Sequence, residues 1–226
     1  MDHVDHALYT CRDLRGGTKP SALKTALIGI ALATLACFAS SASAQTLLST
    51  RTTDLVWVIG PADPTQAWIE FCQRHPHDCR LDLSQSARIS LNSQVVATLK
   101  QVNESVNSSI LGVTDQDHWG VLDRWDYPDD GFGDCEDIQL LKRRLLVEAG
   151  LPHRAMRMAV VIDEQGQGHA VLMVLTNRGD FILDNKRNAI LPWWRTNYAF
   201  IKREGTNSST WVALGDQPAP LPTANR

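Results

Sequence analysis

The apolar pattern of this chain changes period once, near residue 150, and that change limits the folds open to it. Upstream, Val95, Leu99, Val102, Val106 and Ile110 recur at steps of three and four, one stripe along a helix. Ile138, Leu141, Leu145 and Ala149 make a second stripe over 135–149, where Gly150 and Pro152 supply a stop. Downstream, the runs 156–162, 169–176 (HAVLMVLT) and 180–184 (DFILD) read as strands. Gln165-Gly166-Gln167-Gly168 breaks the first from the second, and Asn177-Arg178-Gly179 turns the second into the third, with glycine suited to a positive φ. Helices followed by an antiparallel meander make an α+β fold and exclude a Rossmann-type alternation.

The other segments fill in around this frame. Residues 45–60 read as an extended lead-in. Asp63-Pro64 reads as a helix start, aspartate as cap and proline in the first turn, for a helix that carries Trp68, Ile69 and Phe71 and stops before Pro76. Asn92 or Ser93 caps the helix of the first stripe. From 114 to 134 the chain is loop-like, and its Asp123, Asp126, Asp129 and Asp130 read as solvated acids. The tail 217–226 is proline-rich and reads as disordered. With 22 basic against 25 acidic residues, no basic face argues for nucleic acid.

The first 44 residues have the three parts of a secretory signal. Arg12, Arg15, Lys19 and Lys24 come first, an uncharged apolar run over 25–40 follows, and Ala42-Ser43-Ala44 precedes Gln45. The run is about 16 residues, short of the roughly 20 that span a bilayer. The expected organisation is a signal at 1–44, one domain over 45–216, and the tail, in a periplasmic protein. Cleavage there would leave three of the five cysteines. Cys72 and Cys79 flank His75-Pro76-His77, where a turn could join them as a disulfide or leave them as two small buried thiols. Cys135 remains, and an odd thiol in an exported protein calls for an explanation.

Catalysis is one. Cys135 opens the helix over 135–149, where backbone N–H groups and the helix dipole favour thiolate over thiol and can hold an oxyanion. A small buried side chain packing the first turn reads equally well from position alone. His169 opens a strand and Asp184 closes the next, so a hairpin brings both to one end of the sheet. One turn geometry makes them diagonal neighbours on one face, and a slip of one residue puts them on opposite faces. Together the three have the makeup of a nucleophile, a base and an orienting carboxylate.

At GDCED, GHAVLMV and FILDN, in that order, the chain resembles the bacterial transglutaminase-like cysteine peptidases, a family with periplasmic members that trim a surface adhesin in biofilm control. Segments around Phe71-Cys72 and Cys79, VNESVNSSI, and 198–203 before Trp211 are similar as well. The resemblance implies a papain-like, transglutaminase-like fold with the catalytic helix packed on an antiparallel sheet. It implies Cys135 as nucleophile, His169 as base and Asp184 as orienter. It also implies Ca²⁺ beside the nucleophile, on acids that match Asp134 and Glu136, although acids at a helix N-terminus stabilise the helix with no metal. The partners implied are a protein substrate such as a cell-surface adhesin, and an inner-membrane regulatory protein.

Trp119 reads as a packing indole near the cleft, or as an oxyanion donor by analogy with transglutaminase-like folds. Trp193 and Trp194 read as strand neighbours facing opposite ways, one of them in the core. Two rival functions share the scaffold: a transglutaminase-type acyl transferase that uses a lysine amine in place of water, and a non-catalytic binding protein.

Overall fold

The computed structural model describes residues 55–215; the expected signal and the tail lie outside them. Helix α1 (Gln66–Arg74) starts two residues later than the Asp63-Pro64 reading has it. Thr65 is the cap: its Oγ1 accepts from the Trp68 amide at 3.1 Å, while the Asp63 carbonyl accepts from Lys202 Nζ at 3.0 Å. Helix α2 (Ser93–Ser109) is capped by Asn92, whose Oδ1 accepts from the Val95 amide at 2.9 Å. The segment 114–134 is more ordered than a loop. It holds a short helix α3 (Asp115–His118) and the second partner of a two-stranded parallel pair, β2 (Leu111–Gly112) with β3 (Phe132–Gly133). Helix α4 (Cys135–Glu148) follows directly.

Strands β1 (Trp57–Ala62), β4 (Met156–Ile162), β5 (Gly168–Thr176), β6 (Gly179–Leu183), β7 (Leu191–Pro192), β8 (Ala199–Glu204) and β9 (Trp211–Gly215) form one antiparallel sheet in the order β1-β9-β8-β4-β5-β6-β7. The chain is therefore a mixed fold of helices on an antiparallel sheet, as its change of period implies. Strand β5 is buried along its whole length, which explains why HAVLMVLT does not alternate with polar residues. One face, with Leu172 and Val174, joins Phe71, Leu99, Leu140 and Leu146 of the helices. The other, with Val171, Met173 and Leu175, packs on Ile182, Trp193 and Phe200.

The helical layer is fixed to the sheet by aromatic rings. Trp68 meets Trp125 at 5.5 Å and Trp211 at 5.8 Å, both edge to face, and each such pair is worth about 0.5–1.5 kcal/mol beyond its burial. Cys72 and Cys79 are joined as a disulfide, Cα atoms 5.6 Å apart, across the end of α1. Trp193 and Trp194 lie in a 3₁₀ turn (Trp193–Arg195), not on a strand, because Pro192 ends β7; Trp193 is buried and Trp194 exposed, so one is core as expected. Among the described residues, no helix is long and apolar enough to cross a membrane.

Candidate active site

The β5–β6 hairpin decides one side of the site. Thr176 pairs with Gly179 and Leu172 with Leu183, so Asn177-Arg178 is a two-residue turn, and Gly179 takes φ 107°. Continued one step, this register sets Asp184 beside Val171, diagonal to His169 on the same face. Of the two registers open to the sequence, this one lets the side chains meet: His169 Nε2 lies 2.9 Å from Asp184 Oδ1. With the carboxylate as acceptor, Nε2 carries the hydrogen.

Asp184 is held from three further directions. Tyr198 Oη donates to Oδ2 at 2.7 Å, the Lys186 amide donates to Oδ1 at 3.0 Å, and Arg187 Nε lies 3.2 Å from Oδ2. Burial alone would raise its pKa. The hydrogen bonds from His169 and Tyr198 and the charge of His169 outweigh burial and hold the carboxyl well below its usual range. The Tyr198 ring also packs edge-on against the His169 ring at 5.7 Å.

Cys135 is the first residue of α4 and is 2% exposed. Its Sγ lies 3.2 Å from the Ala170 amide nitrogen and 3.1 Å from Glu136 Oε2. Cys135 and His169 line one small cavity with Trp125, Glu136, Val160 and Gly168. The structure thus brings Cys135, His169 and Asp184 together at the junction of α4 and β5. Trp119 is not in this cavity. It is 42% exposed, with Arg124 4.5 Å over its ring, and Trp125 holds the place beside Cys135 instead.

The other side is acidic. Asp134 precedes α4, yet its side chain makes no cap hydrogen bond. Asp115, Asp134 and Glu136 are all buried and offer one oxygen each within 4.8 Å of one another. Asp115 Oδ1 and Asp134 Oδ1 are buried with no hydrogen-bond partner among the described residues. Burial first, and then the charge of Asp115, push Asp134 up to about 8; burial and the charge of Asp134 push Glu136 well above its ordinary value. Three buried carboxylates, two of them with an oxygen that has no partner among the described residues, are a hard-oxygen donor set of the kind Ca²⁺ takes. The fit is chemical: it rests on donor type, burial and spacing.

Asp115 is a residue that sequence reasoning misses. Its segment reads as loop; in the structure Thr114 caps α3, its Oγ1 accepting from the Asp117 amide at 3.2 Å. Asp123 and Asp126 also depart from the solvated reading. Burial moves Asp123 up to about 6, and Trp125 Nε1 donates to it at 3.1 Å. Asp126 accepts from Arg124 and bonds His75, while its amide donates to Asp137 Oδ1 at 2.7 Å, which ties the loop to α4. Asp129 and Asp130 are exposed, as expected.

No curated protein matches the chain. Among solved structures it is similar to LapG of Legionella pneumophila, with 27% identity, TM-score 0.46, and coverage of 53% of this chain and 69% of that one. The calcium-bound form of that protein matches at 26% identity and TM-score 0.46, covering 57% and 75%. The EGTA-treated form matches at 26% and 0.45, covering 54% and 72%. The sequence model of the bacterial transglutaminase-like cysteine proteinases matches residues 59–219, most of the chain and all of the site just described, and the chain belongs to that family of cysteine peptidases.

Proposed function

We propose that the protein is an exported cysteine peptidase that cleaves a protein substrate with Cys135 as nucleophile, His169 as base and then acid, and Asp184 as orienter. The observation that carries this is the 2.9 Å His169–Asp184 bond, made at a cavity that His169 shares with Cys135. Because Nε2 is committed to Asp184, the proton exchanged with the thiol travels by Nδ1. The Cys135 thiolate attacks the peptide carbonyl carbon, and the oxyanion that forms is held by backbone N–H groups at the start of α4. Collapse breaks the C–N bond, and His169 gives its proton to the leaving amine. Water, activated by the same imidazole, then releases the acid and regenerates the thiol. Asp184 stays ionised throughout, fixing the tautomer and stabilising the imidazolium.

Asp115, Asp134 and Glu136 are the residues that would hold Ca²⁺. Bound there, the ion would supply positive charge beside the thiol and fix the first turn of α4. The proposal extends to an adhesin at the cell surface as substrate and to an inner-membrane regulatory protein, supported by the resemblance around GDCED. Periplasmic location is supported by the signal-like start of the sequence and by the Cys72–Cys79 disulfide, since such bonds persist in oxidising compartments.

The test is digestion of cell-surface proteins by the purified enzyme, with the Cys135→Ala variant alongside. Cleavage should drop at least about a thousandfold in the variant while its melting midpoint holds. Cleavage that survives at the wild-type rate would remove Cys135 from the role.

A further inference from the structure

Behind Asp184 the chain is irregular, and α2 and α4 hold it with polar side chains. Asn107 Nδ2 donates to the Asp184 carbonyl at 2.9 Å and to the Arg187 carbonyl at 3.2 Å. Asn103 Nδ2 donates to the carbonyls of Arg187 and Asn188 at 3.2 and 3.0 Å. Gln139 Nε2 lies 3.4 Å from Asn185 Oδ1. Carbonyl acceptors fix the orientation of both asparagine amides, so each Oδ1 faces away from the segment.

These three amides leave acceptors over, and one cation lies among the same elements. Asn103 Oδ1, Asn107 Oδ1, Gln139 Oε1 and Lys142 Nζ are buried without a hydrogen-bond partner among the described residues. Lys142 is 0% exposed and lies on the face of α4 that carries Cys135 and Gln139, near enough to Asp184 to feel its charge. Burying an amine that serves no purpose is costly, and a methionine of similar length would fill the space without that cost. Three surplus acceptors and one three-donor ammonium are complementary, and ordered water is what commonly joins buried groups of this kind.

We propose that Lys142 is a positioning residue for the catalytic carboxylate: through water shared with Asn103, Asn107 and Gln139, its ammonium holds the 184–188 segment so that Asp184 stays aimed at His169. Lys142 touches neither substrate nor thiol and acts only through Asp184. Burial pushes its amine down to about 7, partly offset by the charge of Asp184, which marks the strain of keeping it there. The inference rests on the reading of Asp184 as orienter.

Proton NMR of the His169 Nε2–H resonance tests it with no substrate required, and Asp184→Asn assigns the signal. In Lys142→Met that proton should exchange with solvent at least about fivefold faster, the loss of one net hydrogen bond, with an unchanged or higher melting midpoint. Lys142→Gln, which can still donate, should recover most of the protection. An unchanged resonance in Lys142→Met overturns the proposal, as does equal loss in the Met and Gln variants. Failure of both to fold overturns it too, because the amine would then be a folding requirement. Peptide cleavage that survives in Cys135→Ala would sink the triad reading while leaving the NMR result to stand alone.

Discussion

The two carboxylate groups on either side of Cys135 make an instructive pair. On the His169 side, Asp184 is buried yet ionised, because an imidazole, a tyrosine hydroxyl, a backbone amide and Arg187 all face it. On the Glu136 side, acids equally buried face one another, and their pKa values rise. Burial is the same; the company differs. The first side is completed by the protein itself. The second has the electrostatics of a site whose charge balance is completed from outside, by protons or by a cation.

This contrast can be broken at its strongest point first. Asp184→Ala leaves the imidazole free to take the wrong tautomer, and turnover should fall about a thousandfold or more at saturating substrate. A drop under tenfold would mean that Tyr198 and the fold orient His169 without the carboxylate. The acidic side should yield a smaller effect. EGTA should lower the cleavage rate by about ten- to a hundredfold and added Ca²⁺ restore it, while Asp115→Ala should lose both the activity and the response. Calorimetric titration with no binding heat, together with full activity in chelator, would reduce Asp115, Asp134 and Glu136 to protonated packing groups. Tyr198→Phe should give the smallest change, about fivefold in kcat with KM unmoved, since one of several bonds to Asp184 is lost. An effect larger than that of Asp184→Ala would reverse the order of importance on that side.

Much of this was legible before any coordinates. The change of period near residue 150 gives helices then strands, and the cysteine at the head of α4 follows from where the second apolar stripe begins. The hairpin placed His169 and Asp184 at one end of the sheet. What stayed hidden had physical causes. Register depends on the Asn177-Arg178 turn, which sequence leaves open. Asp115 is twenty residues from Cys135, in a segment that reads as loop, where one more acid carries no mark of a long-range role. Asn103 and Asn107 lie beside the apolar stripe of α2 and look like surface residues until the carbonyls of Asp184, Arg187 and Asn188 are seen to take their donors. Lys142 carries no signal at all, since a charged residue on a helix reads as solvent-facing by default.

Gly133 has a consequence for how the motif itself is understood. A Cβ at this position would stand 2.8 Å from Asp137 Cβ, 2.9 Å from Asp137 Oδ2 and 3.0 Å from Pro128 Cβ. The position is closed to any side chain, since Asp137 is held in place by the Asp126 amide. In Gly-Asp-Cys-Glu-Asp the letters are therefore there for different reasons. The glycine answers to space, the last aspartate fastens a loop, and the middle three are the cysteine proposed as nucleophile and the two acids beside it. A relative could in principle lose the chemistry and keep the first and last letters, so a match at those two alone reports shared architecture, and the central three must be inspected before activity is inferred.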